Sequence, residues 1–217
     1  HLDDMPSGSL APGADDNASG SAAVLLAARA LSAHRFERTV RFVLFTGEEQ
    51  GLLGSIAYAG HLAALGTNVV AVLNLDMTAW DAVGGPVVRL HTRLPSSSGY
   101  AADLAIARTF RDAASAYVGS ALRPVDDPDG IPASDHYPFW QRGWPAILAI
   151  EDDVDDFNPW YHTVHDTLAR LNLSYATSFT KATVATAAHL AVRASSGTRF
   201  HPVTPCRLVD TRDGGHP

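Results

Sequence analysis

Two adjacent carboxylates, Glu48 and Glu49, follow Gly47 at the end of an apolar, β-branched segment that predicts a strand over residues 39–46. Neighbouring ionised side chains at the end of a buried strand are unfavourable, because the carboxylates repel each other and lose hydration. A cation beside them offsets both costs. The pair therefore predicts a bound cation, and a metal ion is the first candidate.

Other side chains with metal-binding chemistry gather where predicted strands and loops end. They are His1, Asp3, Asp15, Asp16, Asn17, Asp76 and His162. Open α/β sheets bind ligands at the carboxyl ends of their strands, so residues that are distant in sequence can meet there. Imidazole and carboxylate ligands without sulfur suit zinc or a similar divalent ion. Two such ions would balance the charge of the carboxylates, so the sequence favours a two-metal site.

The composition excludes several other kinds of protein. A chain of 217 residues with 46% hydrophobic and 18% charged residues is typical of one sizeable globular domain. The formal net charge of -7 argues against nucleic acid or an anionic membrane as the main partner. No apolar run approaches the roughly 20 residues that a membrane span needs. The single cysteine, Cys206, excludes an intrachain disulfide and a thiolate metal cluster.

Alternating helical and strand patterns predict the elements that position these side chains. Apolar residues at helical spacing predict helices over residues 17–32, 51–65, 100–117 and 173–194. Apolar and β-branched runs predict strands over residues 39–46, 69–75, 86–92 and 145–150. This alternation predicts a three-layer α/β/α fold, in which helices cover both faces of a central, mostly parallel (mixed) sheet.

The composition changes near the end of the chain. Residues 195–217 contain Pro202, Pro205 and a final Gly-Gly-His-Pro sequence, which predict a linker or the start of a further C-terminal module. The chain starts at His1 rather than at a methionine, and no charged and then apolar leader follows. We therefore expect the sequence to be a processed product or a piece of a longer protein.

Six blocks contain the chemically interesting residues, and they follow one another in a specific order. They are Asp3-Asp4 after His1, APGADDNASG (11–20), FTGEEQGLLGS (45–55), LNLDM (73–77), SDH (134–136) and YHTVHDTL (161–168). Together they resemble the zinc peptidases of metallopeptidase family 28, over roughly residues 1–193. That family contains secreted bacterial leucine aminopeptidases, glutamate carboxypeptidases and glutaminyl cyclases. The resemblance implies a zinc-exopeptidase type of α/β fold, with residues 1–194 as a catalytic domain that lacks its N-terminal part.

The resemblance also implies a set of metal ligands. His1 and Asp76 would hold one zinc ion, and Glu49 and His162 would hold the other. Asp16 would bridge both ions through its carboxylate.

Further roles follow from the same resemblance. Glu48 would be free of metal and would act as the general base that takes a proton from a water molecule held by the two ions. Asp3 would be the carboxylate that keeps the ligand histidine in its metal-binding tautomer. Met77, Phe157 and Tyr161 flank predicted ligands and are interpreted as the lining of a pocket for the substrate's first side chain.

Other polar residues in these blocks are interpreted as supporting groups. Asp15 is predicted to be structural, and Asp135 and His136 are predicted to support the metal ligands rather than to bind metal. His165 and Asp166 are predicted to brace the loop that carries His162. The histidines outside the blocks are interpreted as surface or packing residues: His34, His61, His91 and His189.

The implied function is that of a secreted or extracellular two-zinc aminopeptidase, whose partners are peptides with an apolar N-terminal residue. Two other hypotheses stay open. One is a carboxypeptidase or glutaminyl cyclase of the same family, and the other is an inactive fragment that acts as a binding module. Secreted leucine aminopeptidases of the family often carry a disulfide loop with a tyrosine before the SDH block. Residues 129–133 of this chain contain neither cysteine nor tyrosine, which departs from the pattern of these aminopeptidases.

Overall fold

The N-terminal part of the fold is organised around helix α1, Ala18–Leu31. Asn17 begins this helix, because its side chain accepts a hydrogen bond from the main-chain N–H of Gly20 at 3.0 Å. The Asn17 amide also donates to the main-chain carbonyl of Leu75 at 3.0 Å. One side chain thus starts the helix and attaches it to the end of the first strand.

The computed structural model describes residues 1–5 and 11–192. The predicted linker or further module, residues 195–217, lies outside the described residues. The other helices are α2 (Leu53–Ala64), α3 (Tyr100–Tyr117), α4 (Tyr137–Trp140) and α5 (Leu173–Ala191). The strands are β1 (Val72–Leu75), β2 (Val87–His91), β3 (Arg123–Asp127) and β4 (Ala146–Ile150). No helix among these residues is long and apolar enough to cross a membrane.

The strands form one mixed sheet in the order β1-β4-β2-β3. Strands β1 and β4 are parallel, with Val72 opposite Ala146, and β2 and β3 are also parallel. The two pairs join through an antiparallel contact in which His91 lies opposite Leu148. The α/β expectation is therefore confirmed as a four-stranded mixed sheet flanked by helices.

Strand β4 shows how the two faces of the sheet are covered. All five of its residues are buried, and successive side chains of a strand point to opposite faces. Ile147 and Ala149 contact the main apolar cluster, to which α1, α3 and α5 contribute. Ala146 contacts a second cluster, formed with α2 and α4. Helices therefore cover both faces.

Aromatic side chains fill the main cluster between α3, α5 and the sheet. Phe110 and Phe179 meet edge to face with ring centres 5.9 Å apart, and Tyr175 makes a similar contact with Phe179. The Tyr175 hydroxyl donates to the main-chain carbonyl of Val87 at 2.5 Å. The buried phenol therefore has its hydrogen-bond partner, and this contact fixes α5 against β2.

The predicted strand over residues 39–46 is wrong, because the structure assigns no strand to this apolar segment. A strand needs a hydrogen-bonded neighbour, and a cleft of about 590 Å³ lies between residues 38–45 and residues 69–75. Instead, the Phe45 carbonyl accepts a hydrogen bond from the main-chain N–H of Leu2 at 2.8 Å. The neighbouring prediction over residues 69–75 is confirmed only for β1.

Strand β3 is absent from the sequence predictions. Its sequence, RPVDD, contains a proline and two aspartates, which are uncommon in strands. It lies at the edge of the sheet, where a proline is tolerated, and Pro124 pairs with Val88 of β2. Pairing with β2, rather than local propensity, therefore makes this segment a strand.

Candidate metal centre

Five predicted metal ligands from five separate segments of the chain meet at one end of the sheet. Asp76 directly follows β1, Asp16 precedes α1, and Glu49 lies in the turn before α2. His162 lies in the loop after β4, and His1 is the first residue of the chain. All five are buried or half-buried. The sheet and its loops thus bring together residues that are up to 161 positions apart in the sequence.

Asp16 lies between two imidazole rings, with one carboxylate oxygen facing each ring. Its Oδ1 lies 3.2 Å from Nε2 of His1, and its Oδ2 lies 3.2 Å from Nε2 of His162. Asp76 Oδ1 lies 3.2 Å from the same nitrogen of His1, and Glu49 Oε1 lies 3.1 Å from that of His162. Each ring nitrogen therefore faces two carboxylates, and Asp16 belongs to both groups.

The atoms of these two groups fit divalent cations. The Nδ1 atom of His1 lies 2.9 Å from the main-chain carbonyl of Asp3, so a proton on Nδ1 leaves the Nε2 lone pair directed at Asp16 and Asp76. Among the described residues, the buried Oδ1 of Asp76 has no hydrogen-bond partner. The Nε2 lone pair and the two carboxylates repel one another unless a cation lies between them. Nitrogen and oxygen ligands without sulfur suit zinc.

The electrostatics of the adjacent glutamates also indicate that positive charge is needed. Burial and the nearby Asp76 carboxylate raise the pKa of Glu48 to about 8. Burial and the Asp16 carboxylate raise the pKa of Glu49 to about 7. Burial opposes protonation of His1, but its contacts with Asp16 and Asp76 outweigh this and raise its pKa to about 12. Without a cation, the site thus favours bound protons.

A tight turn directs Glu48 and Glu49 to different sides of the site. Gly47 has a positive φ of 72°, and the Glu48 carbonyl accepts hydrogen bonds from the N–H groups of Gly51 and Leu52 at 2.9 and 2.8 Å. Glu49 reaches His162, whereas Glu48 Oε2 lies 3.8 Å from Nε2 of His1. The ligand atoms of Glu48 lie close to those of His1 and Asp76, so position alone also allows Glu48 to be a ligand.

Asp3 supports the site differently from the prediction. The main-chain carbonyl of Asp3, not its carboxylate, makes the short contact with Nδ1 of His1. Its Oδ1 lies 3.7 Å from that nitrogen, and its Oδ2 accepts a hydrogen bond from the main-chain N–H of Glu49 at 3.1 Å. Asp3 therefore connects His1 to the glutamate turn.

A buried hydrogen-bond network fixes the main chain of Asp16. The Asp166 carboxylate accepts hydrogen bonds from the main-chain N–H groups of Asp15 and Asp16, each at 3.0 Å. The Asp15 carboxylate in turn accepts from the Ala79 N–H at 2.9 Å and the Asn158 side-chain amide at 3.0 Å. Asp15 thus has a structural position, and Asp166 acts on the Asp16 main chain.

Glu151 and Ser134 are supporting residues that the sequence analysis did not identify. Glu151 directly follows β4 and is buried, and its two oxygens accept from the N–H groups of Asn158 and Trp80 at 3.1 and 3.0 Å. Ser134 donates to Oδ2 of Asp76 at 2.6 Å. A carboxylate at the end of an apolar strand was the available signal for Glu151, as it was for Glu48. Ser134 belongs to the SDH block, but a serine by itself carries no comparable signal.

The rest of the SDH block is buried. His136 lies 2.9 Å from the Ile131 carbonyl through its Nε2 atom and meets Trp140 edge to face at 4.3 Å. Burial lowers the pKa of His136 to about 4, so the ring is neutral near pH 7. Asp135 is also buried, and burial raises its pKa to about 7. Neither residue belongs to the two ligand groups.

The predicted pocket residues lie at different depths beside the site. Tyr161 stacks on His162 with ring centres 3.5 Å apart, and Phe157 meets Tyr161 edge to face at 5.1 Å. Phe157 is 39% exposed, whereas Met77 is buried against Leu148. Met77 and His162 both have positive φ angles, 47° and 59°, which are uncommon outside glycine. Phe157 and Tyr161 are thus the more accessible apolar surfaces beside the ligands.

Proteins of known sequence and structure resemble this chain. A probable leucine aminopeptidase of Trichophyton verrucosum is 31% identical over 190 residues, which cover 84% of this chain and 48% of the relative. The structure of the LapA aminopeptidase of Legionella pneumophila has a TM-score of 0.75 at 29% identity, and the match covers 90% of this chain and 50% of that chain. BSAP, a zinc aminopeptidase from Bacillus subtilis, has a TM-score of 0.70 at 26% identity, with 87% and 44% covered.

These matches concern only part of the relatives, since the chain spans about half the length of the curated relatives it matches. Within the chain they cover 84–90% of the residues. A family model also matches residues 1–187. By this match and by its relatives, the chain belongs to peptidase family M28.

Proposed function

We propose that this chain contains the active site of a two-zinc aminopeptidase that removes apolar N-terminal residues from extracellular peptides. The observation that carries the proposal is Asp16, which lies between two histidines that each face a further carboxylate. The names of the relatives, leucine aminopeptidase and zinc aminopeptidase, support the same reaction. The chain matches only about half of the length of each relative, so the activity of the whole protein is a proposal.

The ligands divide into two sets that share Asp16. His1 and Asp76 would hold one ion, and Glu49 and His162 would hold the other. When bound, zinc supplies a Lewis acid that polarises the scissile carbonyl and lowers the pKa of water.

The distance of Glu48 from His1 supports a role as the general base. At 3.8 Å its Oε2 lies farther from Nε2 of His1 than do the oxygens of Asp16 and Asp76, both at 3.2 Å. A carboxylate next to the ligands, but free of them, can accept a proton from the attacking water and return it to the leaving amine. The turn that sends Glu49 toward His162 leaves Glu48 in this position.

Tyr161 can supply a phenolic hydrogen-bond donor, since residues 129–133 contain no tyrosine. Burial raises the pKa of Tyr161, and the nearby Asp16 and Glu49 carboxylates raise it further. The phenol therefore stays protonated and can donate to the carbonyl oxygen as negative charge develops there. Stacking on His162 fixes the direction of the ring.

The surroundings of the site match two groups at the N-terminal end of the proposed substrate. A protonated α-amine is attracted to a pocket that contains several carboxylates. The half-exposed rings of Phe157 and Tyr161 offer an apolar surface for the first side chain. A free N-terminus and an apolar first residue therefore give a consistent substrate.

Replacing Glu48 by Gln tests the proposal, because the amide keeps the size of the side chain but cannot accept the proton. We expect kcat/KM for a leucyl anilide to fall at least about a thousandfold, while two equivalents of zinc stay bound. Metal content is measured by elemental analysis of the same samples.

Glu49→Gln is the matched control, and it should lower the zinc content. Loss of zinc from the Glu48 variant would instead make Glu48 a ligand. One zinc equivalent in the unmodified chain would contradict the two-zinc centre. Hydrolysis of an N-terminally blocked leucyl substrate would contradict an aminopeptidase. A fully zinc-loaded chain without hydrolysis would favour the binding-module hypothesis.

A further inference from the structure

A buried histidine outside the metal centre connects two loops of the active-site end. His91 is the last residue of β2 and is 1% exposed. Its Nδ1 lies 3.0 Å from Oδ2 of Asp129, and its Nε2 lies 3.2 Å from Oδ2 of Asp153. Asp129 lies in the loop after β3, and Asp153 lies in the loop after β4. The sequence alone gave no reason to single out His91.

The chemistry of the ring determines its protonation. A neutral imidazole has one N–H group, and an ionised carboxylate only accepts, so hydrogen bonds to both aspartates require a proton on each nitrogen. Burial opposes this charge, but the contacts with Asp153 and Asp129 outweigh burial and raise the pKa of His91. The carboxylates face different nitrogens, which does not suit a metal ion. Within the described residues, the groups that can hold a metal lie elsewhere.

The two connected loops lead to opposite sides of the metal centre. The loop that contains Asp129 continues to Ser134, which donates to the ligand Asp76 at 2.6 Å. The loop that contains Asp153 continues to Tyr161 and to the ligand His162. His91 therefore joins two supports of the site that share no strand.

Other charged groups near His91 are already paired, or are uncharged. Arg89 on the same strand contacts Asp127, Asp152 and Asp155 at 3.4, 2.8 and 3.1 Å. Following β2, Arg93 pairs with the buried Asp103 of α3 at 2.7 Å. His136 is neutral near pH 7, and the charge of His91 is one of the causes that lower its pKa. Asp129 and Asp153 thus remain the partners of His91.

We propose that His91 is a positioning residue whose doubly protonated ring cross-links residues 128–136 and 151–162, and so holds Ser134 and His162 in place for the reaction proposed above. The inference rests on that proposed function for its catalytic consequence. The cross-link itself is testable without hydrolysis.

Hydrogen exchange of the full chain tests the cross-link through two single variants, Asp129→Asn and Asp153→Asn. Each removes one charge-assisted contact, so we expect exchange protection to fall about tenfold. The fall should include the loop that was not changed: residues 151–162 in the Asp129 variant and residues 128–136 in the Asp153 variant. Asp155→Asn is the control, because this exposed residue of the second loop contacts Arg89 instead. A response confined to the changed loop would overturn the proposal.

Hydrogen exchange measured over a series of pH values distinguishes this role from a general loss of protection in the loops. The proton that makes the cross-link is present below the raised pKa of His91 and is lost as the pH rises through it. In the Asp129 variant one cause of the rise is gone, so protection of both loops should be lost at a lower pH. His91 ring signals in NMR spectra should titrate with the loops. An unchanged pH of loss would contradict the cross-link.

The catalytic consequence has its own measurement. We expect kcat for the leucyl anilide to fall about tenfold in both variants, with zinc content unchanged and the alkaline side of the pH profile moved to lower pH. An inactive unmodified chain that still shows coupled exchange would contradict the aminopeptidase proposal alone. Coupled exchange with unchanged kcat would overturn the positioning role.

Discussion

Two regions of the fold supply the candidate metal centre, and they are constructed differently. In the sheet region, strands β1 to β4 with helices α1, α3 and α5, paired strands and a buried apolar cluster determine where Asp16 and Asp76 lie. In the turn region, residues 38–64, an apolar segment lies beside an open cleft and is followed by the glutamate turn and α2. Main-chain hydrogen bonds of the turn determine where Glu48 and Glu49 lie.

The difference shows that the two halves of one site depend on separate interactions. Ligands at strand ends depend on the packing of a whole sheet, whereas the glutamates depend on a few hydrogen bonds and on Asp3. We therefore expect changes in the sheet region to act mainly on stability, and changes in the turn region to act mainly on metal binding.

The largest expected effect is the difference in lost stability between alanine variants of two phenylalanines, one in each region. Phe110 is 0% exposed and contacts Phe179, whereas Phe45 is half-buried beside Tyr58 and Phe139. Phe110→Ala should lower the free energy of unfolding by about 3–5 kcal/mol, because it leaves a cavity in close-packed surroundings. Phe45→Ala should cost about 2 kcal/mol, since the site is partly solvated already. Urea unfolding of both variants measures this, and equal losses would contradict the comparison.

A second contrast concerns the pH dependence of stability through His136, which begins α4 and packs on the turn-region side of the sheet. The unfolded chain binds this proton near pH 6.5, whereas burial keeps the folded ring neutral until about pH 4. This contribution to stability is thus complete above pH 6.5. It is lost as the pH falls from there to about 4, by about 3 kcal/mol.

Replacement of His136 by Gln provides the measurement, because the amide can still donate to the Ile131 carbonyl. Urea unfolding of both proteins between pH 4 and pH 7 should give a smaller pH slope for the variant. Parallel curves would show that the folded ring takes up its proton at its ordinary pKa.

The smallest expected change tests the turn region directly. A Cβ atom on Gly54 would lie 2.5 Å from the Thr46 carbonyl oxygen, so Gly54→Ala must displace the main chain next to the glutamate turn. We expect a loss of about 1–3 kcal/mol in stability together with weaker zinc binding. Zinc titration by calorimetry and urea unfolding measure the two effects.

Gly60→Ala is the control within the same helix. A Cβ atom at Gly60 would meet only Arg142 Nη2 at 3.4 Å, and alanine favours a helix by roughly 0.5–1 kcal/mol over glycine. This variant should bind zinc normally and unfold no more easily. Equal zinc affinity in the Gly54 and Gly60 variants would show that the turn does not depend on this close contact.

The sequence predicted the four longer helices well but not the short α4, because amphipathic spacing and caps such as Asn17 are local properties. It failed for residues 39–46, whose β-branched pattern is strong but which pair with no strand in the described structure. The opposite error concerns β3, which has a weak strand pattern but forms a strand at the edge of the sheet by pairing with β2. A strand is completed by another segment, and single-segment patterns do not identify that partner.

The metal centre shows the same division between local pattern and tertiary contact. By itself, the sequence indicated the types and order of the candidate ligands, since the side-chain chemistry and the resemblance of the six blocks can be recognised without coordinates. Only the tertiary structure decided that Asp16 faces both imidazoles and that the carbonyl of Asp3 meets His1. It also decided that Ser134 donates to Asp76 and that Asp166 accepts from the main chain of Asp16. It also placed His91 between Asp129 and Asp153. The physical reason is that hydrogen bonds and charge contacts depend on distances of about 3 Å between residues far apart in the chain, which folding alone establishes.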